Sequence, residues 1–290
     1  MTQTKQKSSI RKNWISSVQL ITKKPVIILP FFIIAFLECL ALELILFSTR
    51  KPISFIADPI IRKFYGEAFA HYPYNILALP KLFYNAQVVI YIFAGVFLTA
   101  ISVNILKNAV AGLPIKRNAL IQNASKKYFS FVGIGIILIV LMFILQSVDS
   151  FVSMKIIRFV AKYAPNFAAR FGYLGFSIFL FLTNLLLQIF VISIVPIMVL
   201  LKQPLLKAIW GSIIFGLRNF SSIFKLIFLP FLVYLPMVLL KSYSAALAGK
   251  TFPEIVVYIT AVSIILAAFV DCFIIVCVSR FLMEKRQVSD

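Results

Sequence analysis

The sequence predicts an all-α integral membrane protein with six transmembrane helices, and three observations predict it. The 290 residues are 62% hydrophobic and only 13% charged, with a mean hydropathy of +1.01. A soluble domain is about 45–50% apolar and about 25% charged, so this chain has too little polar surface to cover a soluble globule. The apolar residues fall in continuous runs near the ~20 residues that a helix needs to cross a bilayer. They lack the alternation of barrel strands, and in lipid only helices and closed barrels satisfy their own backbone. Basic amphipathic segments separate several of these runs.

Taken in order, the spans are expected at about 26–48, 86–106, 131–149, 173–201, 222–241 and 255–279. The first run is too long for the apolar stretch of a cleavable leader and has no small-residue cleavage site after it. It is therefore expected to remain as a signal anchor. The fourth run is the longest, and Pro196 is its expected kink, because proline lacks the N–H that an interior helical turn requires. Between spans one and two, Asp58-Pro59 reads as a helix cap and first position, with Ile60, Ile61, Phe64 and Ala68 on one face. Between spans three and four, Lys155, Arg158 and Lys162 line up at helical spacing opposite apolar positions. Both segments are expected as helices lying on the outer surface. The three cations are candidate headgroup-binding residues, with capping of the bundle as the plainer reading.

Lys and Arg orient the chain. With the N-terminus inside, 18 of the 29 fall in inner segments and 11 in outer ones. This bias places both termini in the cytoplasm. The net charge of +20 would suggest nucleic acid in a soluble chain, but here the cations cluster between apolar runs. Orientation and anionic lipid explain them, so membrane lipids are the expected partners and nucleic acid is not.

The segments "IRKNWISSVQLITKKP" from Ile10, "IKRNALIQNASKKYFS" from Ile115 and "LLKAIWGSIIFGLRNF" from Leu205 each precede a span. The two tryptophans sit in the first and third, as Trp14-x-Ser16 and Trp210-x-Ser212, and "LPF" comes after both at Leu29–Phe31 and Leu229–Phe231. The middle copy has Gly133 and Gly135 there instead. The pattern implies three parallel pseudo-repeats, at about 10–113, 114–203 and 204–290 within one membrane domain, each an amphipathic inner helix and two crossings. Ile10, Trp14, Val18 and Ile21 share one face of the first amphipathic helix, which is expected to lie in the inner interface as an anchor.

Three two-helix units in a basic chain of this length resemble the mitochondrial carriers. The Pro-x-[Asp/Glu]-x-x-[Lys/Arg] motif of that family is absent: Pro253-Glu254 has the wrong spacing, and apolar residues come after Pro30 and Pro230. The opening "WISSVQL" at Trp14–Leu20, "KKP" before a proline-bearing first span, and "AIWGSIIFGLRNF" at 208–220 are similar to bacterial YciC-like six-helix membrane proteins. That group includes the membrane domain accompanying some glycerophosphodiester phosphodiesterases. The resemblance covers most of the chain as a pattern. It implies a lipid-proximal protein of the bacterial plasma membrane and supplies no catalytic residue.

The sequence contains no phosphate-binding GxxxxGK[S/T], no HExxH and no GxSxG. Its single histidine, His71, allows no multi-histidine metal site and reads as part of an outer interfacial turn. Cys39, Cys272 and Cys277 fall inside apolar runs as small hydrophobes. No cofactor and no catalytic residue is expected. The costly groups are charges within spans: Glu38 near the middle of the first, and Asp271 in the sixth. Each costs on the order of 2.5–3.5 kcal/mol on insertion scales, and so is expected to face protein or water, or to be protonated. Glu43 lies near an outer end, where Arg50 is in reach. Asn184 and Gln188, at i and i+4 in span four, and Lys225, entering span five, complete a candidate intramembrane polar site with Glu38 and Asp271. Interhelical hydrogen bonding is the structural alternative for such groups.

Three functions remain open on the sequence. The first is a non-enzymatic, lipid-associated envelope protein, acting with a protein partner or as a homo-oligomer. The others are a transporter of a lipid or small amphiphile using the intramembrane carboxylates, and a membrane-embedded lipid-modifying enzyme.

Overall fold

The computed structural model describes residues 10–47, 50–51, 54–67, 71–72, 74–115, 117–163 and 165–287. Helix α1 (Ile10–Lys23) leads through a short 3-10 turn at Pro25–Ile27 into α2 (Leu29–Leu46). Next come α3 (Ser54–Tyr65) and α4 (Tyr74–Ile90), which continues through a π-helical turn at Tyr91–Gly95 into α5 (Val96–Val110). Beyond these lie α6 (Arg117–Ser125), α7 (Tyr128–Tyr163), α8 (Pro165–Val191) and α9 (Ile194–Leu200). The chain closes with α10 (Leu205–Arg218), α11 (Phe220–Ser242), α12 (Ser244–Lys250) and α13 (Ile255–Gln287).

Six helical stretches are long and apolar enough to cross a membrane, as the apolar runs require: Leu29–Leu46, Tyr74–Val110, Tyr128–Leu145, Phe181–Leu200, Phe220–Lys241 and Ile255–Lys285. The second, expected from 86, begins twelve residues earlier, with Pro80 inside the helix. The fourth breaks at Ile192–Ser193 and resumes at Ile194. Pro196 explains the break, because it has no N–H to bond the Ile192 carbonyl one turn back.

Two outer segments differ from expectation. Asp58-Pro59 does not start a helix: α3 begins at Ser54, and Pro59 lies inside it. Five residues of α3 precede Pro59, so the helix starts without the cap and carries proline in its second turn, where the Phe55 carbonyl loses its i→i−4 donor. Ala68 lies outside the described residues. The segment from 151 does not form a separate surface helix. It continues α7, whose 36 residues span about 54 Å, well beyond a bilayer core of about 30 Å. Nothing after Gln146 interrupts helical bonding until Pro165, so the chain has no reason to turn earlier.

The spans pack in chain order. Helix α2 lies on α4, the π turn and α5 on α7, α7 on α8, α8 on α11, α11 on α13, and α13 again on α2. Close approaches are made by glycine. A Cβ on Gly135 of α7 would sit 2.9 Å from the Ile92 Cα in the π turn, and one on Gly216 of α10 would sit 2.9 Å from the Ile189 carbonyl oxygen. At one end the ring is plugged, where α5, α9 and α13 meet one another. All seven residues of α9 are buried there, packed with Val96, Ala100 and Val103 of α5 and with Ile275, Leu282 and Met283 of α13.

The amphipathic segments form separate helices, α1, α6 and α10, ahead of the first, third and fifth spans. In α1 the buried face is the polar one: Asn13 is 2% and Ser17 0% exposed, whereas Val18 is 48% exposed. Ser17 donates to Asn13 Oδ1 at 3.3 Å and contacts Cys277, because α1 rests on α13. The tryptophans are not equivalent. Trp14 buries its indole N–H, whereas Trp210 is 65% exposed.

Candidate functional site

Asp271 is the key to the site. On α13 the residues Tyr258, Val262, Ile265 and Phe269 form one exposed stripe, at spacings of four, three and four. Asp271 is two residues beyond Phe269, roughly 200° around the helix, on the side that faces protein. It nevertheless keeps accessible surface, although protein surrounds it. We infer from the two together that its carboxylate opens onto a cleft between the helices.

The other walls repeat this arrangement. Glu38 lies roughly 200° from the exposed Phe36 of α2, on the same face as the buried Phe31, Ala35 and Leu42, and is itself half-buried. On α4, Gln87 is set opposite the exposed Val89. Tyr91 opens the π turn, 42% exposed although its ring is enclosed by protein. On α11, Tyr234 and Lys241 share the inward side with the buried Ile223 and Ile227, away from the exposed Leu229, Val233 and Leu240.

These groups interact. The Gln87 amide donates a hydrogen bond to the Glu38 carboxylate, and the Lys241 ammonium acts on the same carboxylate electrostatically. Glu38 and Asp271 lie close enough to repel each other. Tyr91 is near Asp271, and Tyr234 is near both carboxylates. The Tyr234 hydroxyl shares a 2.8 Å hydrogen bond with Ser263 Oγ of α13. Glu38, Gln87, Tyr91, Tyr234, Lys241 and Asp271 therefore gather on the inward sides of α2, α4, the π turn, α11 and α13, with Ser263 buried behind Tyr234. The floor of the cleft is the apolar plug, since Ile275 lies one turn from Asp271 and Val96 adjoins the π turn that carries Tyr91.

Local backbone chemistry positions Tyr91. A π turn accommodates one residue more than an α turn, which rotates the rest of the helix and leaves a carbonyl short of its usual partner. The Tyr128 hydroxyl donates to the Phe93 carbonyl at 3.1 Å, and Thr99 Oγ1 to the Gly95 carbonyl at 2.8 Å. Gly95 makes room for the tyrosine ring, because a Cβ there would sit 2.8 Å from Tyr91 Cδ2.

Of the residues that the sequence singles out, the structure brings Glu38 and Asp271 together. Asn184 and Gln188 are half-buried on α8, opposite the exposed stripe of Ile178, Leu182 and Leu186. Lys225 is exposed on the outward side of α11, in line with Leu229 and Leu232. The lysine of α11 that acts on Glu38 is Lys241, four turns further along. Lys155, Arg158 and Lys162 are exposed on the extension of α7, with the Lys155 ammonium 4.5 Å from the Phe151 ring centroid. Sequence reasoning missed Gln87, Tyr91, Tyr234, Lys241 and Ser263. Among the described residues no group of three or more His, Cys, Asp or Glu is placed to hold a metal ion.

The fold and the cleft define a helical, multi-pass membrane architecture of six crossings. No protein-family model, no curated protein and no solved structure matches the chain.

Proposed function

We propose that this chain is a non-enzymatic multi-pass protein of the bacterial plasma membrane, with both termini cytoplasmic, that takes a small polar or amphiphilic molecule into its intramembrane cleft. The single observation that carries this reading is the accessible surface of Asp271, on a helix face that points into the bundle and at Glu38. Structural glue would be packed shut: buried polar groups in a finished interface are satisfied by one another. Ionisable groups in membrane helices that line an open cavity mark substrate or ion pathways. The thirty phenylalanines suit contact with lipid, and the similarity to YciC-like proteins belongs to the same reading.

Native mass spectrometry after gentle extraction tests it. Wild-type protein is expected to retain a defined small molecule or lipid that Glu38→Gln releases. A stoichiometric protein partner, with no selective small molecule, would favour an assembly subunit and make Glu38 bundle glue. A pH-coupled flux lost in Glu38→Gln would make the binder a transporter.

A further inference from the structure

The charges of the cleft select among ligands. Glu38 and Asp271 lie near enough to repel each other, and Lys241 is the cation beside Glu38. With all three ionised the cleft carries one uncompensated negative charge, among spans that are otherwise apolar. A single positive charge on the ligand removes that excess; a negative one doubles it. The remaining walls suit the same chemistry. Tyr91 and Tyr234 place aromatic rings and hydroxyl oxygens beside the carboxylates. Aromatic rings attract cations through their quadrupole. Gln87 donates an N–H to Glu38 and so holds that carboxylate in place.

Resting on the reading of this cleft as a binding site, we propose that its ligand bears one ammonium group, seated between Glu38 and Asp271 and against the rings of Tyr91 and Tyr234. Lys241 then acts as an internal competitor: its ammonium holds Glu38 when the cleft is empty. The apolar floor takes the hydrocarbon portion, so the substrate class is a primary amine with an apolar body. Gly95 belongs to the same device, because it lets the Tyr91 ring lie over the π turn.

Radiolabelled phenethylamine, a soluble amine with an apolar body, is the probe, bound to the purified full chain in lipid nanodiscs. Phenethyl alcohol and hydrocinnamate serve as neutral and anionic competitors of similar shape. Saturable binding is expected, displaced by unlabelled amine and not by either competitor. Asp271→Asn should weaken it by about tenfold or more, the worth of one charge-assisted contact. Lys241→Met should strengthen it severalfold, a gain that misfolding cannot mimic. Equal displacement by phenethyl alcohol would overturn the proposal, as would unchanged binding in both variants. Selective binding of radiolabelled hydrocinnamate, lost in Lys241→Met, would overturn the ammonium assignment while leaving the cleft as a binding site. Binding of none of the three would overturn the assignment too, and the binding-site reading falls with it if Gln87→Cys proves inaccessible to a water-borne thiol reagent.

Discussion

The two halves of the six-helix ring are built on the same helices and end up as opposites. At the end carrying α1, α6 and α10, the helices α5, α9 and α13 interlock: every residue of α9 is buried, and the surrounding side chains are Val, Ile, Leu, Ala, Met and Phe. One turn away along α13, the same inward face carries Asp271 and keeps open surface. A helix face pointing into a bundle is therefore not by itself a core. It becomes one where small and branched residues from three helices can close on it. It stays a cleft where charged groups that repel each other hold the space. The plug supplies stability, and the cleft gives part of it up to keep a polar site.

Substitutions that touch one half and not the other separate these roles. The largest effect is expected from Gly135→Val, which drives a side chain into the Ile92 backbone. Such overpacking costs about 3 kcal/mol, read as loss of folded protein by size-exclusion chromatography or a lowered thermal midpoint in detergent. Next comes Asp271→Leu, of opposite sign. Replacing an ion in an apolar bundle by a hydrophobe raises stability by about 1–2 kcal/mol and abolishes binding in the cleft. A drop in thermal midpoint would mean that Asp271 is structural. Ser212→Ala removes the 2.6 Å hydrogen bond that ties α10 to the Phe190 carbonyl. It should cost about 1 kcal/mol and leave ligand binding unchanged. Smallest is Trp210→Phe, within about 0.5 kcal/mol because the ring is exposed, whereas Trp14→Phe, at a half-buried ring whose N–H is enclosed, should exceed it. Equal effects would restore the equivalence that their shared Trp-x-Ser spelling suggests.

How far the sequence was legible depends on what determines each feature. The six crossings are local: a continuous apolar run must be a helix in lipid, and all six are there. Glu38 and Asp271 stand out for the same reason, as charges where charge is expensive. Their partners could not be read that way. Gln87 and Ser263 are ordinary polar residues in long helices, and the inward setting of Tyr91 depends on a π turn that no motif announces. Lys241 comes after the apolar run of α11 and reads as the start of an outer connection, yet the helix continues past it to Ser242. Lys225 has the reverse history: a half-turn of helix decides that it faces outward, and periodicity does not say which side of span five meets α13. The signal available was angular. Tyr234 and Lys241 are seven residues apart, two turns on one face, on the side away from Leu229, Val233 and Leu240.

The central claim is that the inward faces of these helices border an open, water-reaching cleft. Gln87 and Val89 test it most directly, being two residues apart on opposite sides of α4 at one depth. In a background of Cys39→Ala, Cys272→Ala and Cys277→Ala, Gln87→Cys and Val89→Cys would each be treated in membranes with a charged, membrane-impermeant methanethiosulfonate. Rapid modification is expected of the variant at 87 and none at 89, on the lipid-facing side. Modification at 89 alone, or at neither position, would contradict it.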